Sequence, residues 1–333
     1  MVDGLVSFGI ELVPDRPLER VVELAVAAES KGLDYVWITD HYNNRNVYVA
    51  LTLVASSTKR VKIGTGVTNP YLIHPAWTAS AIATLDEISG GRAVLGIGAG
   101  DRATFESLGV KWERPLASIR EAVEVMRRLL AGESVKLEGE VFKVSKARLN
   151  YKPSRVPPIY IGAQGPKMLE LAGSIGDGVL VNASNPRDFQ EAVKFIRAGA
   201  EKAGRDLSKV DIVAYTCFSV GEDSAEAREA AKPIVAFIVA GSPSQVLAKH
   251  GISEEAAGKI REAIGRGDFK GAFRLVDSSM LEAFSIAGTV EETSSKVEEL
   301  LKAGVTQVVM GSPLGPKKKE AVDLMARVVS KFK

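Results

Sequence analysis

The sequence predicts a closed (β/α)8 barrel, a fold of the α/β class. Three observations carry that prediction. A short apolar run followed by a longer amphipathic run recurs eight times along the 333 residues. Several of the short runs are apolar on both faces, as parallel strands covered by helices must be. Glycines and polar residues gather at the ends of those runs, where such a barrel carries its site. Eight units in one chain fit a closed barrel better than an open sheet. No linker rich in Pro, Gly or Ser divides the chain, so one domain over 1–333 is expected.

Residues 6–12 read as the first strand and 17–32 as its helix, with Pro17 in the first turn and Gly32 at the end. Strand 35–40 is followed by helix 47–58. After strand 61–67, a helix opens at Pro75 and stops at Gly90-Gly91. Strand 92–98 precedes the clear amphipathic helix 116–133. Residues 135–152 alternate weakly and suggest an inserted hairpin. Strand 158–163 leads to a short helix after Gly165. Strand 178–183 leads to helix 186–203, with Asn185 as cap and Pro186 as first residue. Strand 210–220 is followed by helix 224–241, which Pro233 should kink. Residues 243–286 break the alternation and read as two or three short inserted helices. Helix 289–304 begins on a capping box of Thr289 and Glu292. Strand 307–312 and helix 317–332 close the series.

Composition narrows the function. Lys and Arg total 43 against 41 Asp and Glu, so no broad electrostatic footprint for nucleic acid exists. A single cysteine, Cys217, excludes an intrachain disulfide and a cysteine zinc cluster. The three histidines, His41, His74 and His250, lie far apart, and no metal site is expected. The longest uncharged run, Ile63 to Leu85, is broken by Gly64, Gly66, Asn69, Pro70 and Pro75. It is not a membrane helix. The first 30 residues carry Asp3, Glu11, Asp15, Arg16 and Glu19, so no secretory segment is expected and the default compartment is the cytoplasm.

The strand ends hold the candidate chemistry. Glu11 is an acid inside an apolar strand, and desolvation there should raise its pKa toward working pH. The bland alternative is a rim salt bridge. Asp40 and His41 read as a metal pair, an acid/base pair or a hydrogen-bonding edge. No third ligand is evident, His41 could instead be a satisfied buried histidine, and Asp40 is the better ligand contact. Gly64, Gly66, Asn69 and Pro70 mark an irregular strand end where backbone could approach a flat ligand. GAGDRA (98–103) matches a weak dinucleotide fingerprint, with Glu121 near the spacing of a ribose-binding acid. It sits in the fourth of eight units rather than the first of a Rossmann half. GAQGP (162–166) and NASNP (182–186) precede helices whose free N–H groups suit a phosphate, or are simply capped. Lys317-Lys318-Lys319 lies at the wrong helix end for the dipole. It reads as a solvated run rather than a site for an anionic tail.

Taken together, ITDHYNN (38–44), GTGVTNP (64–70), the segment 80–105, YIGAQGP (160–166) and LVNASNP (180–186) resemble one family closely. They resemble the coenzyme F420-dependent methylenetetrahydromethanopterin reductases of archaea, within the bacterial-luciferase-like barrels. The resemblance runs from Phe8 to the C-terminus. It implies reduced F420, a dissociable deazaflavin, as hydride donor. The substrate would be 5,10-methylenetetrahydromethanopterin and the product 5-methyltetrahydromethanopterin. It implies a bulge after the third strand with a non-prolyl cis peptide at Gly66-Val67. Asp40 would contact the deazaflavin head, with Gly66, Val67, Thr68 and Gly98 lining its bed. Gly162, Ala163, Gln164, Gly165 and Asn182 would hold the ribityl-phosphate side. Glu11 and Asp101 would be the acids, Glu11 protonating the departing nitrogen and Asp101 stabilising the cation and relaying protons. Homo-oligomers are implied too, and the apolar faces of the uncharged helices Val47–Ser57 and Thr78–Leu85 would supply either the interface or ordinary barrel packing.

Three rivals stand beside this reading. One is an FMN-dependent luciferase-like monooxygenase. Another is an F420-dependent alcohol or sugar-phosphate dehydrogenase with His41 as base. The third is a flavin-binding barrel without turnover. None accounts as well for acids at both Glu11 and Asp101.

Overall fold

A computed structural model describes residues 6–333. Strands β1 (Ser7–Leu12), β2 (Tyr35–Ile38), β3 (Lys62–Thr65) and β4 (Ala93–Gly98) lie side by side. An antiparallel hairpin, β5 (Val135–Glu138) with β6 (Lys143–Ala147), interrupts them as the weak alternation foretold. Then come β7 (Ile159–Gly162), β8 (Gly178–Val181), β9 (Asp211–Val220), the short β10 (Ile286–Gly288) and β11 (Gln307–Leu314). Strand β8 pairs with β9, β9 with β11 and β11 with β1, all parallel, so eight strands close into a barrel. Strand β10 adds a parallel edge to β9.

Helices α1 (Leu18–Ser30), α2 (Val47–Ser57) and α3 (Pro75–Ser89) follow the first three strands. Strand β4 is followed by α4 (Arg102–Ser107) and α5 (Pro115–Leu130). Helices α6 (Pro166–Ile175), α7 (Pro186–Lys202) and α8 (Ser224–Gly241) follow β7, β8 and β9. The insertion holds four helices rather than two or three: α9 (Ser244–Lys249), α10 (Glu254–Gly265), α11 (Phe269–Arg274) and α12 (Ser278–Phe284). Three of them, of six or seven residues, are too short for a periodic apolar stripe to announce them; α10, with twelve, is the exception. Helices α13 (Val290–Lys302) and α14 (Lys318–Val329) end the chain. Thr289 and Glu292 form the expected capping box on α13. Pro17 stands one residue earlier than expected, as the N-cap of α1.

Alternation along the strands sorts residues into two layers. Phe8, Ile10, Val36, Ile38, Leu95 and Ile97 pack outward against the helices. Tyr35, Trp37, Val94, Tyr160, Leu180, Val213 and Val309 fill the lumen. Trp37 is fully buried, and its indole N–H donates to Gln307 Oε1 at 3.0 Å. Gln307 and Tyr160 both donate to Asp211 Oδ2, at 2.8 and 2.9 Å, so the polar groups at this depth are satisfied. A second apolar cluster lies apart, beneath α8 to α12, and includes Val235, Val239, Leu247, Ile260, Met280 and Phe284.

The residues TLDEISGGR (84–92), within the 80–105 segment, have a structural role. Asp86 is almost wholly buried and takes the Arg155 guanidinium as a fork, at 2.7 and 3.0 Å, plus the Ala93 N–H at 3.2 Å. Arg92 donates to the carbonyls of Ala55, Thr58 and Val61, tying α2 to β3. Gly90 ends α3 in the left-handed conformation with φ 68°. Removing Arg155 strands a buried carboxylate. Arg155→Ala is therefore expected to cost about 3 kcal/mol, read as a lower midpoint in urea. An unchanged midpoint would show that water takes over the Asp86 carboxylate.

Candidate active site

The carboxyl ends of the strands open into a cleft of about 1220 Å³. Its bed is set by an irregularity between β3 and β4. Gly64 pairs with Val94, and the next bridge joins Thr68 to Ile97. Four steps on one strand thus meet three on the other, which is a β-bulge. The peptide Gly66-Val67 within it is cis, as the resemblance implied. Val67 projects into the mouth beside Gly98 and Gly162.

The bulge also explains a correction. Thr68 was expected in the cofactor bed, but it is fully buried and does not line the cleft. One extra residue reverses the side on which later side chains emerge. Thr68 therefore faces outward like its partner Ile97, toward Asp40 and the Tyr48 phenol. Its N–H still donates to the Gly96 carbonyl and its carbonyl accepts from Gly98, each at 2.9 Å.

Tyr215 pins the bulge from across the lumen. Its hydroxyl donates to the Gly66 carbonyl at 3.2 Å. A Cβ on Gly66 would stand 2.4 Å from that hydroxyl, so only glycine fits. Nothing in the sequence marked Tyr215. Its place on β9 becomes visible only once the barrel closes.

Glu11, the penultimate residue of β1, faces the lumen and is buried. Its Oε2 accepts the Ser312 N–H at 2.8 Å. Burial pushes the carboxyl above the usual glutamate range, against the Ser312 bond and the Lys318 charge, which pull it down. The same acid, with burial, pushes the Tyr215 phenol and the Cys217 thiol upward. Gly311 beside it is obligatory, since a Cβ there would lie 2.3 Å from the Thr216 carbonyl and 2.6 Å from Glu11 Oε2.

The remaining expected residues ring the same cleft. Asp40 is half-buried, and burial raises its carboxyl against the Thr68 hydroxyl and His41. Asp101 is exposed on the rim and caps α4, its Oδ2 accepting the Thr104 N–H at 2.8 Å. Trp112 holds the loop below by donating to the Ala99 carbonyl at 2.8 Å. Gly162, Ala163, Gln164, Gly165 and Asn182 line the far side, where Gln164 Nε2 donates to the Asn182 carbonyl at 3.1 Å. The two helix starts there differ. Asn185 caps α7 through the Arg187 N–H, whereas α6 starts at Gly165 with no side-chain cap. Its first N–H groups are left for an anion.

The dinucleotide fingerprint does not survive. Glu121 is buried beneath the hairpin and accepts the N–H groups of Glu140, Val141 and Phe142. Asp101 starts a helix of only six residues. Among the described residues no cluster suits a metal ion, and no helix is long and apolar enough to cross a membrane.

A closed barrel with a bulged third strand, a desolvated acid on the first and an open-ended cleft defines a class. The chain belongs to the luciferase-like monooxygenase family, whose model matches residues 5–307. Within that family it is similar along its full length to reductases of methylenetetrahydromethanopterin. It is 54% identical to the 5,10-methylenetetrahydromethanopterin reductase of Archaeoglobus fulgidus, over 98% of this chain and 100% of the relative. It is 53% identical to the enzyme of that name from Methanolobus tindarius, over 97% and 99%. The solved coenzyme F420-dependent tetrahydromethanopterin reductase of Methanopyrus kandleri superposes with a TM-score of 0.95 at 50% identity, covering 99% and 100%.

The raised carboxyl of Glu11 has a stability signature. Between the usual glutamate range and its raised value, the folded chain keeps a proton that the unfolded chain has released. Stability contributed by that proton is lost as pH rises through the folded value. Glu11→Gln, which needs no proton, should gain on the wild type in melting temperature as pH climbs from 4 to 8. A gap that stays constant with pH would show a carboxyl with an ordinary pKa.

Proposed function

We propose that this chain reduces 5,10-methylenetetrahydromethanopterin to 5-methyltetrahydromethanopterin, reversibly, with reduced F420 as the dissociable donor. The observation that carries the reading is the arrangement of one cleft. A desolvated acid stands on one wall, a bulged bed lies in the middle, and an uncapped helix start closes the far end.

The cleft suits a flat, phosphate-bearing group. Its bed is the Val67 side chain between Gly98 and Gly162, and a Cβ on Gly98 would lie 2.9 Å from a Val67 methyl. Asp40 borders the bed at the strand-two end. Gly162, Ala163, Gln164, Gly165 and Asn182 would hold the ribityl-phosphate side, with the α6 N–H groups turned to the phosphate. Reduced F420, held there, supplies the hydride.

The protein's own groups prepare the acceptor. The methylene bridge must open to an iminium cation before it takes hydride. Ser312 N–H occupies Oε2 of Glu11, which leaves Oε1 to carry the proton. Burial keeps that proton in place nearer neutral pH, so Glu11 protonates the departing nitrogen. Asp101, on the rim after β4, offers a carboxylate to the developing cation. Phe105, Trp112, Ile234 and Ile238 wall the cleft and limit water.

Self-association is part of the same proposal, as is a cytoplasmic setting. Trp77 is 74% exposed and Val49 56% exposed on the outer faces of α3 and α2, as an apolar interface requires. Trp77→Glu should lower the mass found by light scattering. An unchanged mass would move the interface elsewhere.

The deciding assay is anaerobic, with purified protein, reduced F420 and the methylene pterin, following the return of oxidised deazaflavin absorbance. Rapid pterin-dependent oxidation is expected. Glu11→Gln should lose at least about a hundredfold in kcat while its F420 dissociation constant stays within about twofold. Full activity in that variant would remove Glu11 from its role. A yellow protein that retains FMN and oxidises no F420 would overturn the reading itself.

A further inference from the structure

A second cleft, of about 590 Å³, opens on the other side of Glu11. It shares Glu11, Val13 and Ser312 with the large one, so the two meet at the reacting acid. Its floor is apolar, made by Leu12, Val21, Leu24 and Leu314. Its rim is cationic, with Arg16, Arg20, Lys318 and Lys319 against Asp15 and Glu23.

The charges are unevenly spent. Glu23 takes both Arg20, at 2.8 Å, and Lys319, at 3.2 Å. Asp15 lies 3.9 Å from Arg16. Lys317, the first of the lysine run, pairs with Glu320. Lys318 is different: it is half-buried, lines the cleft, and pairs with no carboxylate among the described residues. Its charge reaches Glu11. Helices α1 and α14, whose first turns border the cleft, both start without a side-chain cap. An uncompensated, partly desolvated ammonium in a roomy cleft is a binding element for phosphate or carboxylate.

We propose that this cleft binds the anionic arm of the pterin substrate, with Lys318 as the central contact and Arg16 and Arg20 beside it. The inference rests on the reductase reading above. Both reactants carry arms bearing phosphate and carboxylates, so topology must choose between them. The F420 phosphate side lies by β7 and β8. Counted around the barrel, β7 stands four strands from β1 in either direction, directly across from it. An F420 held across the bulge therefore runs away from Lys318. The pterin, whose nitrogen must meet Glu11, reaches the cleft by continuing past that acid. Lys318 is then a residue that sets which pterins bind well, and the apolar floor takes the uncharged stem of the arm.

Steady-state kinetics of wild type, Lys318→Met and Lys318→Arg test this, each at its own pH optimum because Lys318 acts on Glu11. Lys318→Met should raise KM for the intact pterin about tenfold, with KM for F420 and kcat within about twofold. Lys318→Arg should recover most of the loss. A pterin truncated before its phosphate should show the same KM in all three proteins. An unchanged KM for the intact pterin would overturn the proposal. A rise confined to F420 would overturn it as well, by placing the other arm here. Absence of wild-type turnover would instead count against the reductase reading. The cleft is still tested then, by calorimetry with tripolyphosphate. Binding weakened by Lys318→Met and by Arg20→Ala is expected, and equal affinity in all three proteins would refute the site.

Discussion

The lumen of the barrel is organised around one indole. Trp37 occupies the lumen with no exposed surface. The lumen of an eight-stranded barrel is just wide enough for side chains to fill, so a group this large forces small neighbours. Gly9, Gly64 and Gly66 stand around it, and a Cβ at any of them would lie within 3.3 Å of Trp37. Tyr35 stacks on the ring at 5.8 Å with planes 1° apart, and Tyr160 leans on it at 5.5 Å. The indole N–H reaches Gln307, so the wide ring is oriented as well as packed.

The site rests on that plug. Directly above it, β3 gains its extra residue, and Gly66 is glycine because of Tyr215 opposite, whose hydroxyl a Cβ would meet at 2.4 Å. Tyr215 then links the bulge to β9, and Glu11 closes the ring through the Ser312 N–H. The bed and the acid thus belong to one rigid layer made by strands. Asp101, Trp112 and the α6 start belong to loops. Such a division places the groups that need fixed geometry on the scaffold and leaves recognition to segments that tolerate change.

Strands and long helices were legible because period and punctuation agree: Pro75 and Gly90 bracket α3, and Asn185 with Pro186 opens α7. Glu11 was legible because an acid inside an apolar strand is anomalous without any knowledge of its neighbours. Thr68 was carried over from the resemblance along with its bulge neighbours, and only the register of the bulge shows its side chain turned away from the cleft. Helix α4 went unseen since six residues hold no periodicity, although Asp101 is an ordinary capping residue. Glu121 looked like a ribose ligand by spacing alone, while its partners are three backbone N–H groups of a hairpin that only folding brings near. Tyr215 and the second cleft are products of closure. Glu11 and Ser312 are 301 positions apart in sequence, and no local pattern encodes such a meeting.

The cluster beneath α8 to α12 carries a different kind of consequence. These helices bury their own apolar faces against one another, and the contribution of the barrel to that cluster includes Cys217 on β9. Ile234 and Ile238 of α8 touch both this cluster and the cleft. One wall of the binding cavity is therefore a cassette with its own cohesion. Its apolar contacts are separate from those of the indole plug, so the length and packing of this wall are set independently of the bed.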